Sequence, residues 1–149
     1  MQRAVAALPG DQQLASWIEA VLNQHPDASR EITIRIVDVA EITDLNHRYR
    51  NKEKPTNVLS FPADRPEGLP PEIAAQFTEL GDIAICAQVV ANEAAEQAKA
   101  EIAHWAHMVI HGTLHLLGYD HIATDEAAEM EALEITLLAE FGYSDPYAL

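Results

Sequence analysis

The sequence predicts an α+β fold, a single domain over residues 1–149 in which a small mixed sheet packs against helices. Three observations predict it. Glu31-Ile32-Thr33-Ile34-Arg35-Ile36 alternates polar and apolar residues, as a half-buried strand does. Leu80 to Cys86 is predominantly apolar, as expected of a strand in a central position. From Ala87 onward, apolar residues recur at helical spacing for most of the remaining chain. At 149 residues the chain is one domain by size and long enough to bury a core.

Taken in order, Asp11 to Gln24 carries Leu14, Ile18, Val21 and Leu22 on one helical face, and Pro26 and Asp27 break that helix. The alternating strand follows. Asp38 caps a second helix that turns Val39, Ile42, Leu45 and Tyr49 inward. A basic loop ends at Lys54-Pro55-Thr56, and Asn57-Val58-Leu59-Ser60-Phe61 forms a short strand closed by Pro62. Residues 64–76, with Pro66, Pro70 and Pro71, read as a loop. After the central strand come helices over Gln88–Lys99, Ile102–Leu117 and Asp125–Phe141, the last capped by Thr124 or Asp125. There is no internal repeat and no low-complexity segment.

Composition narrows the function. No run of about 18 apolar residues exists, so no membrane span is expected. The N-terminal apolar stretch is too brief for a secretory signal. The one cysteine, Cys86, lies in an apolar run and reads as a small buried hydrophobe, which suits a reducing, cytoplasmic compartment. A net charge of −15 argues against general nucleic-acid binding, because phosphate attraction normally needs a basic face. The charge is segregated, however. Arg48, Arg50, Lys52 and Lys54 fall within seven positions, and no Lys or Arg follows Lys99.

Chemistry concentrates in His111-Gly112-Thr113-Leu114-His115-Leu116-Leu117-Gly118-Tyr119-Asp120-His121. His111 and His115 sit one helical turn apart on the same face. Gly118 can end the helix in a left-handed conformation and swing His121 back toward them. Three neutral imidazole nitrogens at roughly 2.0–2.1 Å would leave a fourth tetrahedral position for water, the layout of a catalytic zinc. The metal-binding helix is then expected at the centre of the domain. His107 lies about 6 Å along the axis from His111, too far to share the ion, and reads as a supporting or core residue. His104 reads as a surface residue. Asp120 suits either orienting an imidazole or making a turn.

The spacing matches the zinc-peptidase pattern H-E-x-x-H-x-x-G-x-x-H at its three histidines and its glycine. Gly112 stands where that pattern has its general-base Glu. Nothing beside His111 could then protonate a leaving amine, and peptide hydrolysis is disfavoured.

The stretch His107-Met-Val-Ile-His111-Gly-Thr-Leu-His115-Leu-Leu-Gly-Tyr-Asp-His121 resembles the signature of the YbeY family of bacterial rRNA maturation endoribonucleases. The segment from Leu45 through Arg50-Asn51-Lys52-Glu53-Lys54-Pro55-Thr56-Asn57 to Pro62 resembles the same family, as does Leu80 to Cys86. The matches span roughly residues 30–142. The resemblance implies a zinc-dependent, single-strand-directed endoribonuclease acting in ribosomal RNA processing, small-subunit rRNA 3′-end maturation included, and in ribosome quality control. It implies one zinc ion on His111, His115 and His121, and it makes Arg50 a functionally important arginine. A guanidinium suits that role because it forks onto two phosphate oxygens and can stabilise charge developing at phosphorus. Arg48, Lys52 and Lys54 would join it in holding the RNA backbone.

On this reading Arg50, His111, His115 and His121 are the catalytic set. The partners are ribosomal RNA and ribosome particles, with a ribosomal protein supplying affinity that so acidic a domain lacks. No membrane partner is expected. Two alternatives stand beside it. One is a metal-dependent hydrolase of another substrate, peptidase-like, with a carboxylate such as Asp82 brought in as base. The other is a non-enzymatic ribosome assembly factor whose zinc is structural. Tyr49 and Phe61 are the nearest candidates for base stacking, although core packing is the role their positions suggest first.

Overall fold

The computed structural model describes residues 8–26, 31–63, 79–119 and 124–147. Among the described residues three strands form the sheet: β1 (Glu31–Val37), β2 (Val58–Pro62) and β3 (Glu79–Cys86), in the order β1-β3-β2. β3 is central, parallel to β1 and antiparallel to β2, so the sheet is mixed. Ile34 faces Ile83 across one ladder and Val58 faces Ile85 across the other.

The two-residue period of β3 divides the core. Ile83 and Ile85 join the larger apolar cluster with Val58, Trp105, Val109 and Leu114, whereas Ala84 and Cys86 turn to the opposite face with Leu59. On that second face lies α2 (Val39–Arg50), through Val39, Ile42 and Leu45. Cys86 is fully buried and unpaired, as its apolar setting predicts. Helices α1 (Asp11–Leu22), α3 (Ala87–Glu96), α4 (Glu101–Leu116) and α5 (Thr124–Glu140) make up the other layer. α4 is its centre, in contact with α1, α3, α5, β2 and β3. Every residue from His104 to Ile110 on it is buried.

Local chemistry explains the boundaries. Asp38 caps α2 as expected, its side chain accepting from the backbone N–H of Glu41. α2 ends in Asn51, left-handed at φ 57, and the Lys52 N–H returns to Asn46 O. α4 ends as predicted. Gly118 has φ 104, its N–H reaches His115 O, and the Tyr119 N–H reaches Leu114 O, which is a Schellman closure.

Other expectations need correction. The helix expected to reach Lys99 stops at Glu96, because Ala98 turns left-handed at φ 55 and the Lys99 N–H closes on Ala94 O. Tyr49, expected to point inward, is 63% exposed, since it sits on the last turn of α2 beyond the end of the apolar stripe. Ile36 is 41% exposed near the end of β1, an edge strand. The loop expected over 64–76 lies outside the described residues.

Candidate metal centre

His111 and His115 lie on consecutive turns of α4, and their Nε2 atoms are 3.0 Å apart. That is a hydrogen-bond distance. It is also close to the separation of about 3.3 Å that two imidazole nitrogens have on a tetrahedral ion at 2.0–2.1 Å. Both rings line a cavity of about 640 Å³ together with Arg50, Thr56, Asn57, Ser60 and Tyr119. Arg50 reaches it from the end of α2, across β2. Among the described residues Arg50 has no ion-pair partner, although acids dominate the composition. His121, the third expected ligand, and Asp120 lie outside the described residues.

The remaining cations of the basic segment are exposed. Arg48 forks through Nε and Nη2 onto Asp44, one turn earlier on α2. Lys52 and Lys54 occupy the following loop, whose path is set by the buried Asn46: its Nδ2 donates to Lys54 O, and its backbone O accepts from Lys52 N–H.

Behind the histidines stands Glu134, a side chain that motif spacing does not reach. It projects from α5 with no exposed surface. Its Oε1 accepts from His111 Nδ1 at 2.8 Å and from His107 Nε2 at 3.0 Å, and its Oε2 accepts from the Tyr147 hydroxyl at 2.8 Å. Burial by itself would push this carboxyl up. The imidazole donors outweigh it and hold the group down to about 2, so it is an ionised acceptor. Burial moves His107 the other way, below its ordinary value, against the opposing pull of Glu134. The Tyr147 hydroxyl is pushed up by burial and by the charge of Glu134, and stays protonated.

An ionised carboxylate only accepts, so His111 carries a proton on Nδ1, and its neutral imidazole has the lone pair on Nε2, the atom beside His115. A carboxylate that orients a metal-binding imidazole through its distal N–H is the usual support of such sites. The donor set therefore fits a metal ion. His107, His111 and Glu134 could themselves hold one, each offering a ligand atom within 4.8 Å of the others.

Sequence reasoning placed His107 in a supporting or core position, and it is buried. The reading of His104 as surface is wrong. It is 3% exposed, and its Nε2 lies 2.9 Å from Glu93 Oε1, because α3 packs over that face of α4. Glu93 also accepts from Asn57 Nδ2, and burial, which raises its pKa, is outweighed by the His104 and Asn57 contacts that lower it. One signal for Glu134 was present in the chain. Met130, Glu134, Leu137 and Leu138 follow the buried spacing of α5, and an acid on such a stripe requires a partner.

Gly112 has a structural explanation. A Cβ there would lie 3.2 Å from both Ile83 Cγ2 and Ser60 Oγ, and the Ser60 hydroxyl donates to Gly112 O. Position 112 thus faces the sheet at close approach. Any side chain there would have to displace Ile83 or Ser60 by a few tenths of an ångström.

A family model described as Endoribonuclease YbeY matches residues 4–142. An Endoribonuclease YbeY of Pseudomonas putida is 58% identical over 149 residues, covering 99% of this chain and 91% of that protein. That of Pseudomonas entomophila is 58% identical over the same coverage, and that of Pseudomonas fluorescens 59% identical over 94% of this chain and 88% of its own length. The solution structure of a Thermotoga maritima protein superposes with a TM-score of 0.56 at 25% identity, over the whole of both chains. With a matching family model over most of its length and relatives this similar along nearly all of it, the chain belongs to the YbeY family of endoribonucleases.

Proposed function

We propose that this protein is a zinc-dependent, single-strand-directed endoribonuclease of ribosomal RNA processing, acting in small-subunit rRNA 3′-end maturation and ribosome quality control. The observation that carries the reading is one cavity lined by His111, His115 and Arg50. His111, His115 and His121 would hold one zinc ion. When bound, zinc supplies a water that is acidic near neutral pH and a Lewis acid for a phosphate oxygen.

The chain's own residues do the rest. Glu134 holds His111 in the Nδ1–H tautomer. Arg50 pairs with phosphate oxygens and neutralises charge as it develops. Arg48, Lys52 and Lys54 hold the flanking backbone. A ribosomal protein or a preassembled ribosomal particle supplies affinity that a chain of net charge −15 lacks. The setting is the cytoplasm, in keeping with a free buried thiol and with the absence, among the described residues, of any helix long and apolar enough to cross a membrane.

Peptide hydrolysis loses support because position 112 faces the sheet. A purely structural zinc is disfavoured by the cavity in front of the histidines. The deciding experiment is ribosomal RNA cleavage by metal-loaded wild type, His115→Ala and Arg50→Ala, with metal content and circular dichroism recorded on each. Folded variants that have both lost the wild-type cleavage are expected. A His115→Ala chain that unfolds would support structural zinc. Equal cleavage by all three would remove the reading.

A further inference from the structure

A second cavity, of about 620 Å³, opens on the opposite face of β2 and is lined by Arg35, Tyr49, Arg50, Phe61 and Asp82 among others. It shares Arg50, Ser60 and Pro62 with the cavity of the histidines. β2 is an edge strand whose alternate side chains divide between the faces: Val58 joins the α4 side, Leu59 and Phe61 the α2 side. The two cavities therefore adjoin across β2, the edge strand among the described residues, with Arg50 common to both.

The second cavity differs chemically from the first. Tyr49 presents a 63% exposed ring, steadied edge-to-face on Phe61 at a centroid distance of 5.0 Å and 67°. Arg35 is already paired with Glu41. Asp82, opposite Phe61 in the β2–β3 ladder, adds a carboxylate that repels phosphate and accepts N–H donors. An aromatic face beside an accepting edge suits a nucleobase rather than a phosphate.

We propose that this groove is a base-binding subsite for single-stranded RNA. Tyr49 stacks on the base next to the phosphate held by Arg50, and Asp82 accepts hydrogen bonds from that base's edge. Guanine fits best, because its N1–H and amino group lie side by side and match the two carboxylate oxygens. Uracil fits worst, since two carbonyls flank its single N–H. This subsite rests on the ribonuclease reading for its substrate but not for its geometry.

The test is equilibrium binding of fluorescent single-stranded oligoribonucleotides at low salt. The full-length chain carries His115→Ala so that the probe survives, alone or with Tyr49→Ala, Tyr49→Phe, Tyr49→Leu or Asp82→Asn; wild-type cleavage is measured in parallel. Tyr49→Ala and Tyr49→Leu should each weaken binding about 5- to 100-fold, and Tyr49→Phe should retain it, the stacking of one base being worth that much. Leu would retain affinity if position 49 merely covered Phe61, and that result overturns the proposal. Guanine-containing probes should bind more tightly than uridine-only probes, and Asp82→Asn should abolish that preference. Unchanged binding in Tyr49→Ala with wild-type cleavage intact removes the subsite and leaves the ribonuclease. Tyr49-dependent binding without any wild-type cleavage supports the subsite and removes the ribonuclease. Absence of binding by every variant overturns the subsite, and the parallel wild-type cleavage then decides the ribonuclease by itself.

Discussion

Three donors converge on the carboxylate of Glu134, and that single residue ties α4, α5 and the C-terminal turn to one another. Its charge matters more than its volume, since a carboxylate accepts at both oxygens and holds the Nδ1 proton of His111 by a charge-assisted bond, whereas an amide accepts at one oxygen and without charge. Glu134→Gln preserves the shape and removes that constraint. Metal affinity should fall 10- to 100-fold, as expected when the outer partner of a ligating imidazole is lost. Chelator competition measures this directly, and an unchanged affinity would mean that Glu134 does not support the site. The same group has a pH signature. Its folded-state pKa, about 2, lies below the ordinary 4.5, so its contribution is complete above pH 4.5 and is lost as the pH falls toward 2. The stability gap between metal-free wild type and Glu134→Gln, followed by urea unfolding, should close over that window.

Among the elements, α4 decides most. It is buried nearly all round, so its composition reports packing as much as chemistry. That is why four histidines in one helix have four different settings: His104 against α3, His107 inside with Glu134, His111 between the carboxylate and the cavity, and His115 at the cavity. Helical periodicity showed their relative angles but not which neighbours cover each angle. Helix ends followed a similar logic. Gly118 advertised its turn, whereas Ala98 adopts the left-handed region with no residue-type signal. An L-residue there costs about 1–2 kcal/mol, partly offset on mutation by the greater chain entropy of glycine when unfolded. Ala98→Gly should therefore stabilise the protein by up to about 1 kcal/mol, read as a higher urea midpoint at constant slope. A lower midpoint would show that the Ala98 methyl makes contacts worth more than the strain.

At the scale of the whole molecule, an acidic body carries one basic segment beside the cavity. Attraction to phosphate is then local, and few counterions are released on binding. With log K changing by about 0.7 per single-strand phosphate neutralised, Arg48, Arg50, Lys52 and Lys54 together limit the salt slope to about 3, or about 2 if Arg48 keeps its pair with Asp44. Affinity for short oligonucleotides measured across salt concentrations should give that slope and poor absolute binding. Tight, salt-insensitive cleavage by the isolated chain would contradict the need for a ribosomal partner.

The sequence by itself determined the element order, the central β3, the Asp38 cap, the Gly118 turn and the histidine pair, because each depends on residues within a few positions of one another. It also carried the family, through motifs that are contiguous in the chain. Only the tertiary structure decided what lies between elements distant in sequence. Glu134 meets His111 from another helix, Arg50 lines one cavity with His111 and His115, and Tyr49 is left exposed beside a groove that holds Asp82. Local patterning states which side of an element is apolar. It does not state which partner arrives at that side, and here the partners make the site.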